Sequence, residues 1–232
     1  PVSSWSALDS HGHRKPLWYA TRRFFAPRLL TIRPRKTSPS ATDVGPLALY
    51  AHNDRDTPWQ TTVHLHRCNV RGHPTDTQTL ALDVPPRDVQ RLDVPDPWHD
   101  APNHHFLTAQ PSNSDDTATP GSTADPVAPA FWWFAPDKKI AYPEADFDTA
   151  LTPAPGIYTL TVTARTLLRD LCVFADRLDP AAEVSDQGVT LLPGQSHAFT
   201  IRSQATLSQE ALTAPPVLQT VNRFGRPVAV SP

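Results

Sequence analysis

The chain of 232 residues has no methionine, two cysteines, three glutamates and eight glycines, and each scarcity excludes something. Two cysteines, Cys68 and Cys172, do not make the disulfide framework by which small secreted scaffolds compensate for a thin core, and no bridge between them is expected. Three glutamates leave few candidates for carboxyl chemistry. Against only eight glycines stand 27 prolines, so no long helix beyond one stretch is expected, because proline inside a helix removes a hydrogen bond and clashes with the preceding turn. No apolar run approaches the ~20 residues that a bilayer-spanning helix needs. The residues from Pro1 show no charged-then-apolar leader pattern and no initiating methionine, so a fragment or processed product is expected, and free cysteines fit a cytoplasmic location. A formal net charge of -2 with pI near 6.6 gives no basic excess, so neither nucleic acid nor an anionic membrane is an expected partner. Neutral partners such as sugars remain open.

The hydrophobic fraction of 39% and its distribution are those of a folded chain with long irregular connections. Pro16 suits a first helical turn, and Leu17, Ala20 and Phe24 recur at helical spacing before Pro27 stops the pattern. Trp18 and Phe25 on the other side predict a helix apolar nearly all round, of the kind that lies buried between layers. From Arg28 onward the period changes to that of strands. Residues 29–32, 47–50, 61–68, 79–82, 89–92, 105–108 and 131–134 are short apolar or alternating runs between Pro, Gly, Asn and Asp, with Asn53-Asp54-Arg55-Asp56 as one of the turns. The polar stretch 111–129 reads as a disordered loop. A second set follows at 147–151, 157–164, 170–175, 189–192 and 197–201, in which Tyr158, Leu160 and Val162 alternate with threonines, the mark of a sheet with one wet face. The prediction is an all-β chain of two tandem immunoglobulin-like antiparallel β-sandwiches preceded by one short helix. Its divisions are 1–27 for the helix, 28–142 and 143–204 for the sandwiches, and 205–232 for a weakly patterned tail whose Val217, Leu218 and Val221 dock on a neighbour.

A glycosidase needs two carboxyls flanking the scissile bond. Glu144 lies in a connector, Glu183 in a loop and Glu210 in the tail, so no catalytic residue is assigned. His64, His66 and Cys68 alternate on one strand and would project from one face, a possible zinc set lacking a fourth ligand. Asp96, His99, Asp100, His104 and His105 are also rich in ligands, but Pro95, Pro97 and Pro102 make theirs an irregular, solvated loop. Neither group is read as a metal site, and no cofactor is expected. Gly194-Gln195-Ser196 lacks the strand-to-helix elbow of an activated serine. Phe131-Trp132-Trp133-Phe134 places two aromatics on each face of a strand. One pair is expected in the core and the other at an interdomain seam, with sugar stacking as the rival use.

Two stretches resemble family 2 glycoside hydrolases of the β-mannosidase type. The first comprises Ser4 to Asp9, Gly12, Lys15-Pro16-Leu17, Tyr19-Ala20 and Arg22 to Pro27, which resembles the segment closing that family's catalytic barrel. The second comprises Arg169 to Val173, Ser185-Asp186-Gln187 and Leu191 to Gly194, which is similar to its C-terminal sandwich. The chain departs from the pattern at Ser10-His11, where members carry aromatics, and at Gln187-Gly188. The resemblance implies a non-catalytic C-terminal part of an enzyme that hydrolyses terminal β-D-mannose residues with retention. The (α/β)₈ barrel upstream would be its partner and carry the catalytic glutamates, and the chain alone would be inactive. It also implies that the helix meets that barrel and that its exposed face could pair two copies as a homodimer. Trp5, directly after the barrel's end, is the one candidate for substrate contact. The rival readings are an independent carbohydrate-binding module and an adhesion protein of immunoglobulin-like repeats.

Overall fold

The computed structural model describes residues 5–35, 45–99, 104–112 and 127–224. It is an all-β chain with two short helices, and it divides into two compact units. One unit is Arg23–Asn69 with Pro74–Pro136, and the other is Pro1–Arg22, Val70–His73 and Asp137–Pro232.

In the first sandwich the strands are β1 (Arg28–Pro34), β2 (Leu47–Asn53), β3 (Trp59–Asn69), β4 (Pro74–Val84), β5 (Asp88–Asp93), β6 (His105–Pro111) and β7 (Ala130–Trp133). They form an antiparallel sheet β1-β2-β5 facing an antiparallel sheet β4-β3-β6-β7. Period-two alternation is the cause: Leu30 and Ile32 of β1, Leu49 and Ala51 of β2, Val63 and Leu65 of β3, and Leu107 and Ala109 of β6 meet in one core. Each fully buried leucine or valine contributes about 1.5–3 kcal/mol relative to an exposed one. Trp59 and Trp98 close the core. Of the polar stretch 111–129, residues 113–126 lie outside the described residues; Pro111 ends β6 and Val127 is buried in the core.

The turn after β2 is held from inside. Asn53 is buried, and its amide Nδ2 donates to the carbonyls of Thr57 at 2.9 Å, Val84 at 3.2 Å and Pro85 at 3.0 Å, while Oδ1 accepts the Arg55 N–H at 3.2 Å. One side chain thereby satisfies the backbone of two connections, which matters because buried carbonyls without partners are costly.

The second sandwich is built from β8 (Phe147–Ala154), β9 (Ile157–Ala164), β10 (Leu168–Val173), β11 (Glu183–Val184), β12 (Val189–Leu191), β13 (Ser196–Arg202) and β14 (Leu218–Gln219). Its sheets are β11-β13-β9-β8 and β12-β10-β14. Leu160, Val162, Phe199 and Ile201 of one sheet pack on Leu168, Leu171, Val173 and Leu218 of the other. The register between β10 and β12 shifts between Leu168 and Leu171, where Asp170 has φ of 48°. This is a bulge, and aspartate is among the few residues that tolerate the left-handed region. Asp170 accepts a hydrogen bond from Arg169 Nη1 at 2.7 Å.

Residues after 204, weakly patterned in sequence, supply the helix α2 (Gln209–Thr213), capped by the Ser208 hydroxyl accepting from the Ala211 N–H, and the strand β14, which pairs with β10. Leu212, Val217 and Leu218 are buried in this sandwich's own core. Asn222 is buried in the same way as Asn53: it donates to the carbonyls of Pro143 at 3.1 Å and Leu167 at 2.7 Å and accepts the Arg169 N–H at 2.8 Å.

The helix that precedes the sandwiches is α1 (Pro16–Phe24). It is not apolar all round in its packing. Tyr19 is its one buried residue, at 3% exposure, whereas Leu17 and Phe24, taken from sequence as the apolar stripe, are exposed together with Phe25. Trp18 is half-buried beneath the guanidinium groups of Arg14 and Arg22, whose carbons lie 4.4 Å and 5.4 Å from its ring centroid. Spacing alone selected the wrong side because the anchoring residue uses its hydroxyl as well as its ring.

Asn222→Ala strips these backbone partners at once. We expect a loss of roughly 2–4 kcal/mol, since each buried group left unsatisfied costs about 1–3 kcal/mol. Urea unfolding checks it, and a loss below about 1 kcal/mol would show that water replaces the amide. Phe199→Ala should cost about 3–5 kcal/mol in the same assay, as for other large-to-small core changes.

Candidate functional site

The cleft in the second unit begins with a turn. Asp9 Oδ1 accepts the backbone N–H groups of His11 at 2.8 Å and His13 at 2.9 Å, and Asp9 Oδ2 lies 2.9 Å from His13 Nδ1. Gly12 takes φ of 86°, which suits a residue without Cβ, and Leu8 pairs with Arg14 across the turn. These contacts, led by the His13 N–H, pull the Asp9 carboxyl from 3.8 to about 2. Asp9 is therefore ionised at neutral pH.

The turn delivers the chain into α1, which is fastened to β11 and the residues after it. The Tyr19 hydroxyl donates to the Val184 carbonyl at 2.8 Å, and burial raises its pKa above the ordinary phenol value. One turn on, Arg22 donates to the Ser185 carbonyl at 3.0 Å and pairs with Asp186 at 3.3 Å. Behind them Gln187 is buried and bonds the Val173 backbone in both directions, accepting from N–H and donating to C=O at 2.7 Å each. Between these walls lies a cleft of about 370 Å³, lined on one side by Asp9, His13, Arg14, Lys15 and Tyr19 and on the other by Phe174, Asp176, Glu183 and Gln187. The two stretches that carry the family resemblance thus meet around one cleft, 165 residues apart in sequence at the Tyr19–Val184 bond.

The cleft mixes three carboxylates with three basic side chains, which suits polar contact more than proton transfer. The Asp9 carboxyl of the cleft, like those of Asp56 and Asp179 outside it, is displaced downward. A general acid needs the opposite shift. Glu144, Glu183 and Glu210 are all exposed, and of these only Glu183 lines the cleft.

The other candidates separate. His64 and His66 sit on the sheet face opposite the core, rings 6.1 Å apart, with Nδ1 atoms bonded to Thr79 at 3.2 Å and Thr77 at 2.9 Å. Cys68 is wholly buried, and burial pushes its thiol up to about 12. Among the described residues no three His, Cys, Asp or Glu side chains are grouped to hold a metal, and Cys68 and Cys172 are not joined in a disulfide. Asp100 lies outside the described residues, the rings of His104 and His105 lie 4.5 Å apart at a tilt of 49°, and His99 faces Asp96, with Nε2 3.4 Å from its carboxylate and Nδ1 accepting the Leu47 N–H at 2.9 Å. Ser196 opens β13 and bonds Thr163 at 2.8 Å, so no elbow forms. Of the four aromatics, Trp132 and Phe134 pack against the core, while Phe131 and Trp133 share the opposite face with Phe106 at centroid distances of 6.3 Å and 4.3 Å. Trp5, the candidate for substrate contact, is 98% exposed and does not line the cleft. Sequence reasoning missed the bond from Tyr19 to Val184 and the pair of Arg22 with Asp186. Their signal was present, since Tyr19, Arg22 and Asp186 all fall within the motifs.

The fold is shared with part of two larger solved enzymes. The chain superposes on a β-D-mannosidase from Dictyoglomus thermophilum with a TM-score of 0.69 at 20% identity, over 95% of this chain and 24% of that one. It superposes on the exo-chitosanase of Amycolatopsis orientalis with a TM-score of 0.57 at 12% identity, over 94% of this chain and 28% of that one. The chain therefore spans about a quarter of the length of these enzymes. No protein-family model and no curated protein sequence matches it.

Tyr19→Phe keeps the ring and removes the hydroxyl, so we expect a loss of about 1 kcal/mol and faster amide exchange through α1. Unchanged exchange would show that the ring alone holds the helix. Because the Asp9 pKa is depressed, its contribution is complete at pH above 3.8 and is lost as pH falls to about 2. The His11 and His13 amide resonances should report opening of the turn over that window, and a turn intact at pH 2 would contradict it.

Proposed function

We propose that the chain is the non-catalytic C-terminal accessory region of a glycoside hydrolase acting on β-mannosides, whose retaining chemistry resides in an (α/β)₈ barrel elsewhere in a larger polypeptide. The observation that carries this reading is the meeting of the two motif stretches at Arg22–Asp186, next to the Tyr19–Val184 bond, in a chain whose fold follows a β-mannosidase over 95% of its length. The exposed glutamates and the downward-shifted carboxyls favour a bracing role over chemistry. In this reading the exposed Leu17, Phe24 and Phe25 meet the barrel, and Trp5 reaches toward the substrate.

A chromogenic β-mannoside tests the first part: the purified chain should show no turnover above buffer, and measurable turnover abolished by mutation of Glu183 would overturn the proposal. The apolar residues test the second. Exposed large apolar side chains grouped near one helix favour association, so the isolated chain should dimerise through residues 13–27. In sedimentation velocity the double variant Phe24→Ser, Phe25→Ser should restore a monomer, whereas a native chain monomeric at every concentration would contradict it.

A further inference from the structure

The first sandwich holds a second cleft, of about 490 Å³, lined by Gly45, Pro46, Leu47, His99, Trp132 and Phe134. It joins two features that the sequence presented separately, the aromatic run of β7 and the histidine-rich loop. Trp132 and Phe134 occupy alternate positions along the chain, pack against the core on one side and remain half-exposed on the other. The loop is fixed by Trp98, buried in the core directly before His99. His99 is then oriented by the Leu47 N–H, which donates to Nδ1 at 2.9 Å. An Nδ1 that accepts carries no proton, so the ring's N–H is at Nε2. That atom lies 3.4 Å from a carboxylate oxygen of Asp96, whose side chain is fully exposed.

We propose that this cleft binds a neutral pyranose. Flat aromatic surface with a placed polar group is a general feature of a small-molecule site; here His99 lines the cleft and Asp96 lies beside it. A sugar ring presents an apolar C–H face to Trp132 and Phe134 and hydroxyls to the rim. Asp96, fully exposed and held beside His99 Nε2 at 3.4 Å, accepts a hydroxyl proton. The same carboxylate disfavours phosphates, sulfates and acidic sugars. The site goes beyond the accessory role and does not depend on it: an accessory region without this site still braces a barrel.

The test is a titration of the full chain with methyl β-D-mannopyranoside and methyl β-D-glucopyranoside, followed by the tryptophan indole N–H resonances, with Trp132 assigned by Trp132→Phe. We expect a saturable shift of the Trp132 signal, none with inorganic sulfate, and binding weakened about tenfold or more in Asp96→Ala, or ~1.4 kcal/mol. Asp96 is fully exposed, so its variant should keep the fold, which the unshifted remaining spectrum verifies. Phe134→Ala should weaken both sugars alike. No saturable shift with either sugar overturns the proposal, as does equal affinity in Asp96→Ala. A shift of Trp132 by a proline-rich peptide but not by sugars would also overturn it, since aromatic grooves can take that partner instead.

Discussion

The Tyr19 hydroxyl bonded to the Val184 carbonyl is the contact on which the candidate cleft depends. It fixes α1 against β11, and the turn at Asp9 and the base of Arg22 follow from it. A buried phenol is a useful anchor because its ring contributes apolar contact while its O–H answers a carbonyl that would otherwise lack a partner. Arg22 reinforces the contact at the surface. Its pair with Asp186, partly exposed on both sides, is worth little alone. The buried bond sets the position, and the ion pair gives it direction.

The same logic recurs away from the cleft. A proline-rich chain has many connections that cannot satisfy one another, and it solves this with buried side-chain amides. Asn53 serves the turns of the first sandwich, Asn222 ties the chain's last described residues to β10, and Gln187 completes the backbone of Val173. Each replaces hydrogen bonds that a longer sheet would have supplied, and each is a place where loss of one side chain strands several backbone groups.

The longer strands of both sandwiches were legible because alternation and breakers are local signals: Val63 and Leu65, or Leu160 and Val162, announce an inward face wherever they occur. The short strands β11 and β14, two residues each, were not, because pairing with β13 and β10 defines them and no pattern fits in so few residues. The helix was found but its buried side was misread, since periodicity ranks Leu17 and Phe24 above Tyr19 and cannot see a carbonyl 165 residues away. The motif resemblance did carry that information, although as two separate stretches. The histidine loop and the aromatic run likewise appeared unrelated until the fold placed His99 beside Trp132 and Phe134.

The accessory reading makes this chain one part of a larger enzyme, with the chemistry placed in a barrel and the carboxylates here left to hydrogen bonding. The most direct measurement is the sequence of the transcript upstream of the codon for Pro1. The account predicts a continuous reading frame that encodes a barrel with two glutamates at strand ends. A start codon immediately before Pro1, or an upstream frame that encodes only further sandwich repeats, would contradict it.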